Sequence, residues 1–268
     1  MKPLSAKPSR LALAASLFLL PVPRAHAQAP PDSLSSLSPT RWEQSSAGEA
    51  SLILQEIGRD KMAAGTRVRY KALALGFPSG HVYSLWSRVV GRDRPTLLQT
   101  GYEVDSSGRM SCPSAHRMAA DSTRITGCSG ALDELVLSAS GYVRAEPYRL
   151  ALLSEDGSVG AYAEAYPFPL EAAHDSTRLW LELVSPDGLE FTIHGVGFPP
   201  GEHIPVVTRS VDEGWSRKML IPADGRIRVA VFPHVAGKSG GSAAFTAEVK
   251  PHPLKLEWSW GREALEHP

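Results

Sequence analysis

The chain is short of cysteine and short of net charge. Of its 268 residues two are cysteine, and 28 Lys and Arg balance 28 Asp and Glu. With fifteen residues between its two cysteines the chain has no C-x-x-C redox pair and no cysteine-based zinc motif, and no cysteine directly follows the first apolar run to carry a lipid. There is no cluster of Lys and Arg and no basic helix, which argues against nucleic acid as a partner, because phosphate backbones need concentrated positive charge. Beyond the first 27 residues no stretch reaches the roughly 20 apolar residues that span a bilayer. No segment shows sustained helical periodicity with caps, and only 51–61 is ambiguous between helix and strand.

What is present starts with an export signal. "MKPLSAKPSR" carries Lys2, Lys7 and Arg10, "LALAASLFLLPV" is a short apolar run, and "AHA" offers small residues for a signal peptidase. The pattern predicts a signal peptide over 1–27, cleaved between Ala27 and Gln28. An uncleaved anchor fits poorly, because the run is short and broken by Pro21 and Pro23. The signal holds four basic residues and no acid, so the mature chain has 24 basic against 28 acidic residues, a net of −4. Residues 28–48 are rich in Pro and Ser, lack apolar periodicity and read as a flexible lead-in.

Cys112 and Cys128 have fifteen residues between them. In an exported chain two nearby cysteines are expected to pair. A bridge closing a loop of that size stabilises by about 3 kcal/mol if unstrained.

The sequence repeats itself. "GFPSG" (76–80) is answered by "GFPPG" (197–201), "DSSGR" (105–109) by "PADGR" (222–226), and "AEAYPFPL" (163–170) by "AEVKPHPL" (247–254). Upstream, "SLILQEI" (51–57) resembles "RLWLELV" (178–184) in pattern. Four matches in one order indicate an internal duplication. The offset falls from 117 to 84 between the second and third matches, which places an insertion of 33 residues in the first unit, around both cysteines. The bridge would tie that insertion down.

Within each unit the periodicity is that of strands. In "LKLEWSW", Leu254, Leu256, Trp258 and Trp260 fall on one face and Lys255, Glu257 and Ser259 on the other. "LEFTIHGVGF" and "IRVAV" alternate likewise, and "SEDG", "SPDG", "PADG" and "PPGE" supply turns between runs. Each GFPxG is expected to end the second strand of its unit, with Phe77 and Phe198 anchoring the turn in the core. The expected architecture is all-β: two tandem antiparallel β-sandwich domains at 49–173 and 174–262, with 173–177 as the link and 263–268 as a tail.

"GVGFPPGEHIPVV", "ADGRIRVAVFPHVAGKSGG" and the following "FTAEV" resemble the immunoglobulin-like modules, the IPT/TIG-like kind among them, of secreted bacterial proteins. The resemblance covers 179–260 well and 51–172 less well. It implies an immunoglobulin-like fold for both domains and no particular activity, since such modules serve as spacers, adhesins and enzyme accessories.

The chemistry-bearing motifs are thin. "GKSGG" (237–241) is a literal G-x-S-x-G, but the alternating "AAFTAEV" follows where a nucleophile elbow needs a helix. As the tail of a phosphate loop it lacks the required upstream Gly, since Phe232 stands there, and a glycine-rich hairpin is the expectation. His26, His81, His116, His174, His194, His203, His234, His252 and His267 show no ligand spacing. Glu155 and Asp156, Asp187 and Glu190, and Asp212 and Glu213 are acidic turn pairs without the alternating carboxylates of a calcium loop. Tyr83, Trp86, Tyr102, Trp180, Trp215, Trp258 and Trp260 suit core or junction packing before a sugar-binding face. The functional expectation is therefore a non-catalytic exported protein, secreted or periplasmic, without a cofactor, that binds an unidentified protein or glycan of the cell envelope or acts as a spacer. The alternative is an envelope hydrolase with a site assembled across strands.

Overall fold

A computed structural model describes residues 50–63, 65–92, 94–113, 127–128 and 130–268. The expected signal cleavage at Ala27 and Gln28 and the lead-in lie outside the described residues. The fold is all-β, and the described residues form four antiparallel sheets and two short 3-10 turns. Among the described residues no helix is long and apolar enough to cross a membrane.

The N-terminal half holds β1 (Ser51–Met62), β2 (Gly65–Leu75), β3 (Tyr83–Arg88), β4 (Thr96–Val104), β5 (Met110–Ser111), β6 (Val136–Ala139), β7 (Tyr148–Ser154) and β8 (Gly160–Ala165). The C-terminal half holds β9 (Glu171–His174), β10 (Thr177–Leu183), β11 (Phe191–Val196), β12 (His203–Ser210), β13 (Glu213–Leu220), β14 (Ile227–Val231), β15 (Gly240–Ala247) and β16 (Leu254–Gly261). The first half pairs its strands as β1-β2-β6 and β5-β4-β3-β7-β8, and the second as β14-β11-β10-β9 and β13-β12-β15-β16. Hence β1, β2 and β6 correspond to β10, β11 and β14, while β3, β4, β7 and β8 correspond to β12, β13, β15 and β16. β5 and β9 are additions at sheet edges.

Each half encloses its own apolar cluster. Leu52, Tyr70 and Ala72 from one sheet meet Tyr83, Leu85, Leu150 and Leu152 from the other in the first half. Leu179, Leu181, Phe191 and Ile193 meet Val206, Phe245, Leu256 and Trp258 in the second. The period of two produces this directly: along β16, Leu254, Leu256, Trp258 and Trp260 are buried, and Lys255, Glu257 and Ser259 are exposed. The ambiguous 51–61 segment is strand, paired along its length with β2 across a bulge at Glu56 and Gly58.

The pentapeptides follow the corresponding strands β2 and β11, the latter third in its half because the edge strand β9 precedes it, and Phe77 and Phe198 are buried beneath them. Gly197 is needed for a stated reason. It sits at φ 75°, and a Cβ there would lie 2.0 Å from the Ser176 carbonyl oxygen.

Three local expectations are revised. "AEAYPFPL" closes the last strand of the first half, whereas "AEVKPHPL" leads out of the next-to-last strand of the second. β7, beside β3, corresponds to β15, beside β12, so the third match joins unlike strands and the 33-residue length it gave for the insertion does not hold. Residues 173–177 are no link. They form the β9–β10 hairpin, with Asp175 at φ 51°, and the chain crosses between halves at 166–170. Part of 263–268 is packed: the 3-10 turn Arg262–Leu265 sets Ala264 and Leu265 against the second core.

Candidate functional site

The cysteines meet as expected. Cys112 and Cys128 form a disulfide with Cα atoms 5.6 Å apart, both buried in the first core. Cys112 N–H also donates to the Gly130 carbonyl. The bridge thereby pins the segment carrying β6 to the end of β5.

The acidic turns lock backbone. The Asp156 carboxylate accepts from the Ser154 and Ser158 hydroxyls and the Ser158 N–H, and these bonds hold its pKa down to about 2. The Asp187 carboxylate likewise accepts from the Ser185 hydroxyl and Leu189 N–H, Asp105 from Ser107 N–H, and Asp224 from Arg226 N–H. Glu155, Glu190, Asp212 and Glu213 lie in or beside turns and do not join these carboxylates in a ligand cluster. Among the described residues no group of three or more His, Cys, Asp or Glu side chains is arranged to hold a metal ion.

The histidines separate. His81 approaches Asp156 at 3.5 Å, His174 and His252 meet edge to face at 4.6 Å, and His203, His234 and His267 are exposed. His26 and His116 lie outside the described residues. "GKSGG" is a turn between sheets and the start of β15, so the connection from β14 crosses the sandwich instead of closing a hairpin. Of the aromatics, Tyr83, Tyr102, Trp258 and Trp260 are core, and Trp86, Trp180 and Trp215 are half-buried.

The densest polar arrangement lies where the halves meet, and it involves residues that sequence patterning left apart. β7 and β8 point Arg149, Tyr162 and Glu164 away from the first core, and β10 and β11 point Trp180, Glu182 and His194 away from the second. These outer faces confront each other. Arg149 pairs with Glu182 across the junction and donates from Nε to Glu164 at 2.8 Å. The other Glu182 oxygen meets His194 Nε2 at 2.5 Å. The His194 ring stacks on Trp180 with centroids 5.1 Å apart and planes 10° off parallel, and the Arg178 guanidinium lies over Trp180 at 5.6 Å. Tyr162 and Tyr166 both donate hydroxyls to Glu164.

Burial sets the electrostatics. The Glu182 side chain is 6% exposed and that of Arg149 13%. Burial pushes the Glu182 carboxyl up, but the His194 hydrogen bond and the Arg149 charge prevail and hold it below the usual carboxylate range. Burial opposes the charge on Arg149, yet Glu182, Tyr162 and Glu164 raise its pKa above the ordinary arginine value. Burial, with Glu164 beside them, pushes the Tyr162 and Tyr166 hydroxyls far up, so both remain protonated donors.

Backbone fixes the same junction. Leu181 N–H donates to Leu170 C=O and Leu183 N–H to Ala145 C=O, which extends the free edge of β10 with first-half chain. Val143 and Ala145, from the loop before β7, are buried in the second core. Ala145 holds φ 62°, a left-handed conformation that a non-glycine residue keeps only when its surroundings enforce it. Gly91 abuts Pro186, where a Cβ would come within 2.5 Å. Arg149, Glu164, Glu182 and His194 pair with one another, and Arg178 pairs with Glu171 beside them. What the arrangement does is fix the position of one half against the other.

No family model matches the chain, and no curated protein matches it. A solved structure described as "Structural insight into host cell surface retention of a 1.5-MDa bacterial ice-binding adhesin" aligns over 79% of this chain and 64% of its own length, at 10% identity and a TM-score of 0.20. The chain thus spans less than two thirds of that structure, and so loose a superposition carries no argument about either fold or function.

Proposed function

We propose that this chain is an exported, non-catalytic binding or spacer protein of the bacterial envelope or surface, made of two immunoglobulin-like domains held at a fixed mutual angle. The immunoglobulin-like reading is supported by the strand order. In each half the first two strands share a sheet with a strand from after the Asp-Gly turn, and the third and fourth strands share the other with the last two. Export is supported by the disulfide, a bond that persists in oxidising compartments, together with the charged and apolar start of the sequence.

The observation that carries the spacer reading is the junction. Adjacent domains in one chain ordinarily move relative to each other unless the interface is large and apolar. Here a buried Arg149–Glu182 pair and the Leu183–Ala145 backbone bond tie them. Such a body presents its surfaces at a set spacing to a protein or glycan of the envelope. The mature protein, immobilised and incubated with envelope extract, retains a discrete protein or glycan that free mature protein displaces. An empty eluate, or turnover of a hydrolase substrate panel lost on mutating one pocket residue, contradicts the reading.

A further inference from the structure

The face by which the second half meets the first has a counterpart in the first half, and among the described residues no strand packs on it. Pairing registers equate Leu52 with Leu179 and Ala74 with Gly195, so Ile53 stands where Trp180 does, Gln55 where Glu182 does, and Leu73 where His194 does. In the second half those positions lie under Arg149 and its neighbours. In the first half Ile53 is 45% exposed, Leu75 53%, and Val136 on the adjoining β6 47%. With Leu73 they form an aliphatic patch on one sheet face, flanked by Lys71 between Gln55 and Val136. Clustered exposed aliphatics of this kind mark contact surfaces.

The other member of the contact is also present in a second, free version. β7 and β8 correspond to β15 and β16, and where Arg149, Ala151 and Tyr162 point away from the first core, Ser242, Ala244 and Glu257 point away from the second. Together with Val207 on β12 these line an open groove of about 960 Å³. The groove runs on to Arg144 and Leu170, which belong to the junction, so it is continuous with the interface already formed within the chain.

We propose that the aliphatic face of one molecule seats on the groove of a second copy, so that copies associate head to tail by repeating between molecules the sheet-on-sheet contact that joins the two halves within one. The groove carries Glu257 paired with Lys255, and the first-half face carries Lys71 beside Asp133, so the contact proposed is an apolar one with its charges already paired on each side. Because the two surfaces differ, each contact leaves one of each unoccupied. The association is heterologous, and it propagates unless the rotation between copies closes a ring.

Sedimentation velocity of the full chain across a concentration series tests this. The mean mass rises with concentration for the wild type. An Ile53→Lys/Leu75→Lys variant, altered at exposed positions, is monomeric, as is Ala244→Arg, and both keep the wild-type melting transition. Mixed, the two variants form a 1:1 complex, because each retains the surface the other lacks. A wild type that is monomeric throughout overturns the proposal. So does association that survives both variants, or loss of it in the Ile53/Leu75 variant alone, which marks a symmetric face-to-face dimer. A mixture that does not recombine overturns it equally.

Discussion

Arg149 on β7 and Glu182 on β10, thirty-three residues apart in sequence, form an ion pair that closes the boundary between two separately packed apolar clusters. Both are nearly excluded from solvent, so the pair cannot be exchanged for hydration when one partner is removed. Arg149→Met should destabilise the chain by about 3 kcal/mol, the range for breaking a buried pair, because Glu182 and Glu164 lose their shared cation. Adding Glu182→Met should recover part of the loss, since the stranded charge is removed as well. Urea unfolding of the two single variants and the double variant measures the coupling.

The same pair gives acid sensitivity of known sign. Glu182 titrates below its ordinary value in the folded chain. Its contribution is therefore fully present above the unfolded carboxylate pKa of about 4.3 and is lost as pH falls through the lower folded value. Unfolding free energy measured from pH 7 downward should fall more steeply below about pH 4 for the wild type than for Glu182→Gln. Equal slopes remove Glu182 from the account.

Two glycines at nearly the same backbone angle separate strain from collision. Gly201 holds φ 77° with nothing within 4 Å of an added Cβ, whereas Gly197 holds φ 75° with a backbone oxygen 2.0 Å away. Gly201→Ala should cost about 1–2 kcal/mol, the price of a left-handed alanine. Gly197→Ala should cost more, because the β9–β10 hairpin must shift. Thermal unfolding of the two variants side by side ranks them.

The disulfide should contribute about 3 kcal/mol to the stability of the whole chain. Non-reducing peptide mapping should recover the segments bearing Cys112 and Cys128 as one linked species. The paired Cys112→Ala/Cys128→Ala variant should unfold at lower denaturant with its exported level reduced.

What the sequence made legible was local and periodic. Alternation in "LKLEWSW" predicts which residues of β16 are buried, because a strand's side chains have only two directions to point. The repeated GFPxG marks the ends of the corresponding strands β2 and β11, since turn chemistry depends on neighbouring residues alone. The junction was not legible. Arg149, Glu182 and His194 each occupy an outward strand position, where charge is unremarkable, and nothing in a strand's period tells which outward face another sheet will cover. The hairpin at 173–177 carries a signal, an Asp in a tight turn, but a turn residue suits a link between halves as well as a hairpin. The false match at "AEAYPFPL" arose because Ala-Glu followed by proline closes strands generally and does not say which strand.

The proposed rigid union of the two halves is tested most directly by a distance measurement between them. Spin labels placed at Ser79 and Pro200, exposed in the two pentapeptide turns, report their separation by pulsed electron resonance. The account predicts one narrow distance distribution in the wild-type background, broadened when Arg149→Met is added. A broad distribution in the wild-type background, unchanged by Arg149→Met, would contradict it.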